Sequence, residues 1–263
     1  MLKKGKDLQR SRPKATQKSA RERGGFDDLL ARLTHGRGLD FAVVLLLAAF
    51  GLQAILSMVR KNPTWDETAH LPAGYSYLAA GDYRMNAEHP PLAKLIAAVP
   101  LLHLRLDPAF DTAAWRSGDE WRYGWEFLYH RGNDANRIFF WGRLPMVCLA
   151  LVLSLVVFFY ARRLYGNGAG LFALFLFAFS PDFLAHGILV NTDVPVSLFW
   201  ILSIFSFEWA LGRITFSKSA LAGITVGLAL LVKFSSLLLL PILGAIALLR
   251  LADGSSIEHG FRR

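Results

Sequence analysis

The sequence predicts an all-α integral membrane protein, a multipass helical bundle whose first outer loop is long and carries juxtamembrane helices. Three observations lead there. The 263 residues are 54% hydrophobic, 13% aromatic and only 19% charged, too apolar for an ordinary soluble chain. Uncharged stretches close to the ~20 residues needed to cross a ~30 Å hydrocarbon core recur along the chain. The formal net charge of +9 is concentrated at one end: residues 1–38 hold 11 basic and 4 acidic side chains, the rest 18 and 16. Basic residues ahead of an apolar run read as a cytoplasmic tail, whereas a nucleic-acid-binding protein spreads Lys and Arg over a folded face. The lone Cys148 lies inside an apolar run, which excludes a disulfide framework or a cysteine zinc site within the chain.

After the basic tail of residues 1–38, a transmembrane region is expected over 39–251. Phe41 to Val59 is its first span. It follows a polar tail and has no small-residue cleavage site close behind a short apolar core, so it is a retained anchor and not a signal peptide. Residues from about 60 to 140 form the outer loop. The second and third spans are Leu144 to Tyr160 and Leu164 to Pro181, and the fourth runs from Val194 to about Gly212 with Glu208 near its end. Ser219 to Leu249 is apolar except for Lys233; as one helix it would measure about 46 Å, so a tight pair of short helices turning near Lys233 is expected. Residues 252–263 are a short polar tail. Basic residues in the tail, at Arg162 and Arg163, and between Arg213 and Lys218 place those segments inside, with the long loop and the Asp182 to Asp193 turn outside. A bacterial plasma (inner) membrane with the N-terminus cytoplasmic is the expected location.

The outer loop holds 10 of the 20 carboxylates and, with Trp141 at its edge, five of the seven Trp. Behind Pro90 and Pro91, the residues Leu92, Leu95, Ile96, Val99 and Leu102 recur at helical spacing while Lys94 faces elsewhere. That pattern predicts an amphipathic helix on the outer membrane surface, its lysine at the water boundary. Asp66 and Glu67 follow the first span by a few residues; the simplest reading is an acidic helix start favoured by the macrodipole, and the functional one makes a general base of the pair. His89 to Lys94 is read either as a solvated proline-led helix start or as a phosphate-binding element. Asp193, with Asn191 and Thr192, is either a cap for the fourth span or a functional carboxylate at a membrane helix end. Tyr75, Tyr77 and the loop Trp rings are candidates for sugar stacking, or for interface anchoring.

Taken in order, Trp65-Asp66-Glu67, His70, Gly74, Tyr77, Gly81-Asp82 and His89-Pro90-Pro91-Leu92-Ala93-Lys94 resemble the first outer loop of the GT-C glycosyltransferases that use polyprenyl-phosphate sugars. That family includes the protein O-mannosyltransferases and the aminoarabinose transferases that modify lipid A. The resemblance continues through Arg143-Leu144-Pro145, Tyr160 to Gly166, Ser180-Pro181, His186-Gly187, Thr192-Asp193, Gly227-Leu228-Ala229 and Lys233. It covers about residues 40 to 250 and corresponds to the N-terminal half of family members. Ala93 stands where some mannosyltransferases have Gly. The resemblance implies a GT-C-like bundle in which Asp66 is the catalytic carboxylate and Glu67 its acidic neighbour. It further implies that His89 and Lys94 lie near the carrier phosphate.

The function expected is transfer of a sugar from a polyprenyl-phosphate donor to a hydroxyl of a lipid or protein acceptor on the outer face. Such a donor needs no nucleotide-binding loop, and neither a Walker A element nor a dinucleotide fingerprint occurs. Asp66 would take the acceptor proton, while Lys94, His89 and Arg84 would stabilise the departing phosphate. One base suits inversion; retention would require a second carboxylate, for which Glu67 and Asp193 are candidates. No cofactor is required by the sequence and no residue is assigned as a metal ligand. A divalent metal stays open because Asp66, Glu67, His70, Glu88 and His89 are suitable ligands, although Glu67-x-x-His70 occurs once where di-metal bundles need it twice. The rival readings are a multipass transporter, which would place ionisable groups nearer the midplane, and an inactive truncated membrane scaffold.

Overall fold

The computed structural model describes residues 33–252 and 258–259; the basic tail expected over 1–38 and the polar tail expected over 252–263 lie mostly outside them. Helix α1 (Gly36–Arg60) is apolar on all sides and buries only a narrow stripe, with Phe50, Ala54 and Met58 at successive i, i+4 positions. Phe41, Val44, Leu52 and Val59 remain exposed, as suits a helix bathed in lipid. It stops at Arg60, two residues before Asn62-Pro63, where the proline biases its predecessor away from helix.

The outer layer follows: α2 (Trp65–Ala80), α3 (Leu92–Ala98) running into a 3₁₀ turn over Val99–His103, α4 (Ala113–Ser117) and α5 (Glu120–Tyr129). Helix α2 is its hub, packed against α3 on one side and α5 on another. Pro72 inside α2 has no N–H to offer the Thr68 carbonyl. At that carbonyl α5 presents Gly124, where an added Cβ would stand 1.9 Å from the oxygen. Gly74 makes the equivalent approach to the Lys94 carbonyl of α3, at 2.2 Å for a Cβ. Two missing side chains thus let three helices pack backbone to backbone.

The surface helix expected over 92–102 does exist in two pieces, but it is not an amphipathic raft with its lysine in water. Lys94 is 1% exposed, held beneath the preceding loop, and Ala93, Ala97 and Ala98 are buried with it. The periodicity identified the helix; polarity misassigned its faces, because a lysine counts as solvent-facing unless the fold supplies acceptors.

Helix α6 (Ala135–Tyr165) carries the second span. It begins well before Leu144 because the Asp134 side chain accepts the Arg137 N–H and caps it, so the outer loop ends at Asp134. The third span differs more. Helix α7 (Asn167–Ala178) has only 12 residues, about 18 Å, and the break at Ser180-Pro181 starts a separate short helix α8 (Pro181–His186). An irregular turn over 187–192 completes that passage.

Helix α9 (Asp193–Gly212) is the fourth span as expected. The pair expected around Lys233 is present: α10 (Phe216–Val232) ends there, and a 3₁₀ turn over Phe234–Leu238 leads into α11 (Leu239–Ala252). A two-residue parallel pairing of Arg213–Ile214 with Glu258–His259 is a minor addition to an all-α multipass membrane protein. Among the described residues four helical stretches are long and apolar enough to cross a membrane: Gly36–Arg60, Ala135–Tyr165, Asp193–Gly212 and Phe234–Ala252.

The two ends of the bundle are stitched separately. At one, Asn167 Nδ2 donates to the Thr34 carbonyl at 2.7 Å and Arg250 Nη1 to the Glu208 carbonyl at 3.3 Å. At the other, the outer layer sits on the bundle and Lys233 Nζ meets Asp193 at 2.9 Å.

Candidate functional site

The Thr64-Trp65-Asp66-Glu67 segment places two neighbouring carboxylates in different environments. Glu67 is the third residue of α2 and turns back, its Oε2 accepting the Thr64 N–H at 2.9 Å in a capping box. The same carboxylate receives a two-pronged bond from Arg143 of α6, Nη2 at 2.7 Å and Nε at 2.8 Å, and the Val190 N–H at 3.1 Å. Arg143 spends its remaining donors on the carbonyls of Met58, Lys61 and Asn62 at the end of α1. Glu67 is 0% exposed and Arg143 1%. Every partner of this pair belongs to the frame: the end of α1, the start of α2, the middle of α6 and the 187–192 turn. Glu67, expected as a second catalytic carboxylate, is therefore a structural tie, because its oxygens are occupied and shielded from an acceptor.

Asp66 is the opposite case. It is exposed, and among the described residues it makes no hydrogen bond or ion pair. Behind it, one turn along α2, lies His70, 5% exposed, its Nδ1 3.1 Å from the Val190 carbonyl. A carbonyl can only accept, so Nδ1 carries the proton and Nε2 keeps its lone pair. Burial is the main cause that holds the His70 pKa below its usual 6.5, with the charges of His89 and Lys94 acting in the same sense and Asp66 in the opposite one. The His89 ring meets His70 edge to face, centroids 5.3 Å apart.

Lys94 holds the loop that carries His89. Its Nζ donates to the Asn86 carbonyl at 2.6 Å, to Asn86 Oδ1 at 2.9 Å and to the His89 carbonyl at 2.8 Å, so all three N–H groups are used. Burial lowers its pKa to about 8, against the opposing pull of Glu120 and Glu88. Asn86 sits at φ 51, a left-handed conformation that Asn tolerates, and passes a further bond to Glu120 of α5 at 3.0 Å. Lys94 thus shapes the loop around His89, where direct contact with a phosphate had been expected. Arg84 is turned to Asp82, at 2.6 Å, and to the Trp115 ring, 5.1 Å from its centroid. Asp193 caps nothing and pairs with Lys233.

Of the aromatic candidates, Tyr75 and Tyr77 are buried, and the Tyr77 hydroxyl donates to the Met85 carbonyl. Of the loop Trp rings, Trp115 is buried in the same core, whereas Trp65 and Trp125 are exposed. Trp65, adjacent to Asp66, stacks on Trp121 at 5.0 Å, and with Trp125 and Tyr129 they line an open cavity of about 530 Å³. Among the described residues no three His, Cys, Asp or Glu side chains stand close enough together to hold a metal ion.

Of the seven residues that sequence reasoning singled out, the structure brings Asp66, Glu67, His70, His89 and Lys94 into one neighbourhood, whereas Arg84 is held by Asp82 and Asp193 by Lys233. Sequence reasoning missed the role of Arg143, quoted only as part of a motif, and that of Val190, whose backbone serves both Glu67 and His70. The signal available for Arg143 was a lone arginine near the start of an apolar run, which calls for a partner.

Comparison with known proteins adds one match. The family model described as dolichyl-phosphate-mannose-protein mannosyltransferase matches residues 136–257, which includes Arg143, Asp193 and Lys233 and stops short of the Asp66 to Lys94 cluster. No curated protein and no solved structure matches the chain significantly.

Proposed function

We propose that the chain, whose residues 136–257 match the dolichyl-phosphate-mannose-protein mannosyltransferase family model, transfers a sugar from a polyprenyl-phosphate carrier to an acceptor hydroxyl at the outer membrane face, with Asp66 as general base. The observation that carries this reading is the asymmetry of the acidic pair: Glu67 is locked into the frame and so fixes the start of α2, where Asp66 is left exposed and unengaged. In the transfer, the acceptor O–H gives its proton to Asp66, the acceptor oxygen bonds to the anomeric carbon, and the carrier phosphate leaves with the electrons of the broken C–O bond. Displacement from the far side inverts that carbon.

The half-buried His89 is the group best placed to meet the phosphate, with Nε2 of His70 beside it. Lys94 contributes by position: it fixes the His89 backbone, and its charge lies just behind the loop, where low dielectric strengthens it. Arg84 becomes a phosphate ligand only if it leaves Asp82. The acceptor's approach is suited by the Trp65, Trp121 and Trp125 cleft, whose Trp65 directly precedes Asp66 in the chain and which offers flat apolar faces to a sugar or lipid.

The test is single-turnover transfer from a synthetic polyprenyl-phosphate sugar by the full chain in membranes. Asp66→Asn keeps shape and loses basicity, so the rate should fall by about 10² or more at unchanged abundance. Lys94→Ala should slow transfer more than Arg116→Ala, a loop cation outside the cluster. Retention of near-normal turnover in Asp66→Asn would overturn the assignment. Orientation is checked with single cysteines at Ser11 and Ser117 in a Cys148→Ser background; labelling of Ser11 and not Ser117 by an impermeant maleimide in intact cells would reverse it.

A further inference from the structure

A second feature of the same membrane boundary adjoins the Asp66 cluster through Arg143, the partner of Glu67, and has its own set of cations. Arg60 and Lys61 at the end of α1 and Arg137 in the first turn of α6 border a cleft of about 530 Å³ between the two helices. Three cations stand there against one carboxylate, Asp134, which is engaged as the α6 cap with the Arg137 N–H at 3.1 Å. The Arg143 guanidinium at the floor is neutralised by Glu67. Among the described residues, Arg60, Lys61 and Arg137 form no ion pair, and all three are exposed. On the other side of Asp134 and Arg137 an adjoining cavity of about 390 Å³ adds Arg105, again without an ion pair.

The level of the cleft follows from α1. Its uncharged run stops at Val59, so Arg60 and Lys61 stand where hydrocarbon gives way to headgroups. Val59 and Phe140, both exposed, give the cleft an apolar side beside the cations. Unpaired positive charge in a recess with low-dielectric walls focuses its field and raises the local concentration of anions. In the proposed orientation these cations lie at the outer end of a span, where the positive-inside tendency gives no reason for them.

We infer that this cleft binds the phosphate headgroup of an anionic membrane lipid, with Arg60, Lys61 and Arg137 around the phosphate and the acyl chains descending past Val59 and Phe140. Naming the outer leaflet rests on the orientation proposed above; the binding does not. Each basic side chain at a membrane surface strengthens attraction to anionic lipid by about fivefold, so removing three costs on the order of a hundredfold.

The experiment is native mass spectrometry of the full chain, purified in neutral detergent and titrated with phosphatidylglycerol, with phosphatidylcholine, or with inorganic phosphate. Phosphatidylglycerol should be retained in preference to phosphatidylcholine. Arg60→Gln/Lys61→Gln/Arg137→Gln should weaken that retention on the order of a hundredfold and Arg137→Gln alone about fivefold, while Arg116→Gln leaves it intact. The single Arg137→Gln change keeps the test open should the triple variant fold poorly. Equal retention of the two lipids, wild-type retention by both cleft variants, or displacement of the lipid by millimolar inorganic phosphate would each overturn the proposal, the last by pointing to a soluble phosphate as ligand. Asp66→Asn should retain the lipid fully whatever its effect on sugar transfer, so the two proposals fail separately.

Discussion

Replacing Arg143 by Met tests the claim that one buried pair holds the outer layer on the bundle. The substitution preserves much of the side chain's bulk and removes five hydrogen bonds: two to Glu67 and one each to the carbonyls of Met58, Lys61 and Asn62. What remains is a fully buried carboxylate supported only by Thr64 and the Val190 N–H. Removing one partner of a buried ion pair costs about 3–5 kcal/mol, chiefly because the other charge is stranded. At about 2–4 °C per kcal/mol for a chain of this size, the melting temperature should fall by roughly 6–20 °C. The assay is thermal unfolding of the full chain in detergent, followed by tryptophan fluorescence, to which the loop Trp residues around α2 and α5 report directly. Glu67→Gln/Arg143→Met should lose less than the sum of the single changes by about 0.5–3 kcal/mol, because the double variant strands no charge. A melting temperature for Arg143→Met within about 2 °C of wild type, or strict additivity, would show that the pair is not a tie, and the positioning argument for Asp66 would go with it.

Gly124→Ala puts a Cβ 1.9 Å from the Thr68 carbonyl and should destabilise by about 1–3 kcal/mol, whereas Gly223→Ala in α10, with nothing within 4 Å, should stabilise by about 0.5–1 kcal/mol; melting temperatures that move in the same direction would refute the close-approach argument. For His70 the folded pKa lies below 6.5, so the unfolded chain binds its proton first; the neutral ring's contribution is present above 6.5 and lost as pH falls through and below that value. His70→Asn should flatten this part of the pH dependence, so the gap between wild-type and variant melting temperatures should narrow from pH 7.5 to 5.5. An unchanged gap would place the pH sensitivity elsewhere.

The sequence by itself determined what depends on neighbours along the chain. Runs of apolar residues long enough to match hydrocarbon thickness marked α1, α6 and α9, and the single lysine in a 31-residue apolar stretch marked the turn at Lys233. The acidic helix start at Asp66 and Glu67 and the helix after Pro90-Pro91 were legible for the same reason. The third span, expected over Leu164 to Pro181, is shorter because Leu164 and Tyr165 belong to α6, the chain breaks at Gly166, and α7 already stops at Ala178, none of which hydropathy registers. Only the tertiary structure decided which polar groups work and which hold. Glu67 and Asp66 are adjacent and chemically alike; one is locked because Arg143, 76 residues on, and Val190, 123 residues on, arrive at it. Lys94 reads as a solvated cation until the Asn86 to His89 loop folds over it with three oxygens. A buried charge persists only where the fold brings hydrogen-bond partners to it, from distant segments for Glu67 and from the folded-back loop just ahead of it for Lys94, and no hydropathy pattern records either meeting.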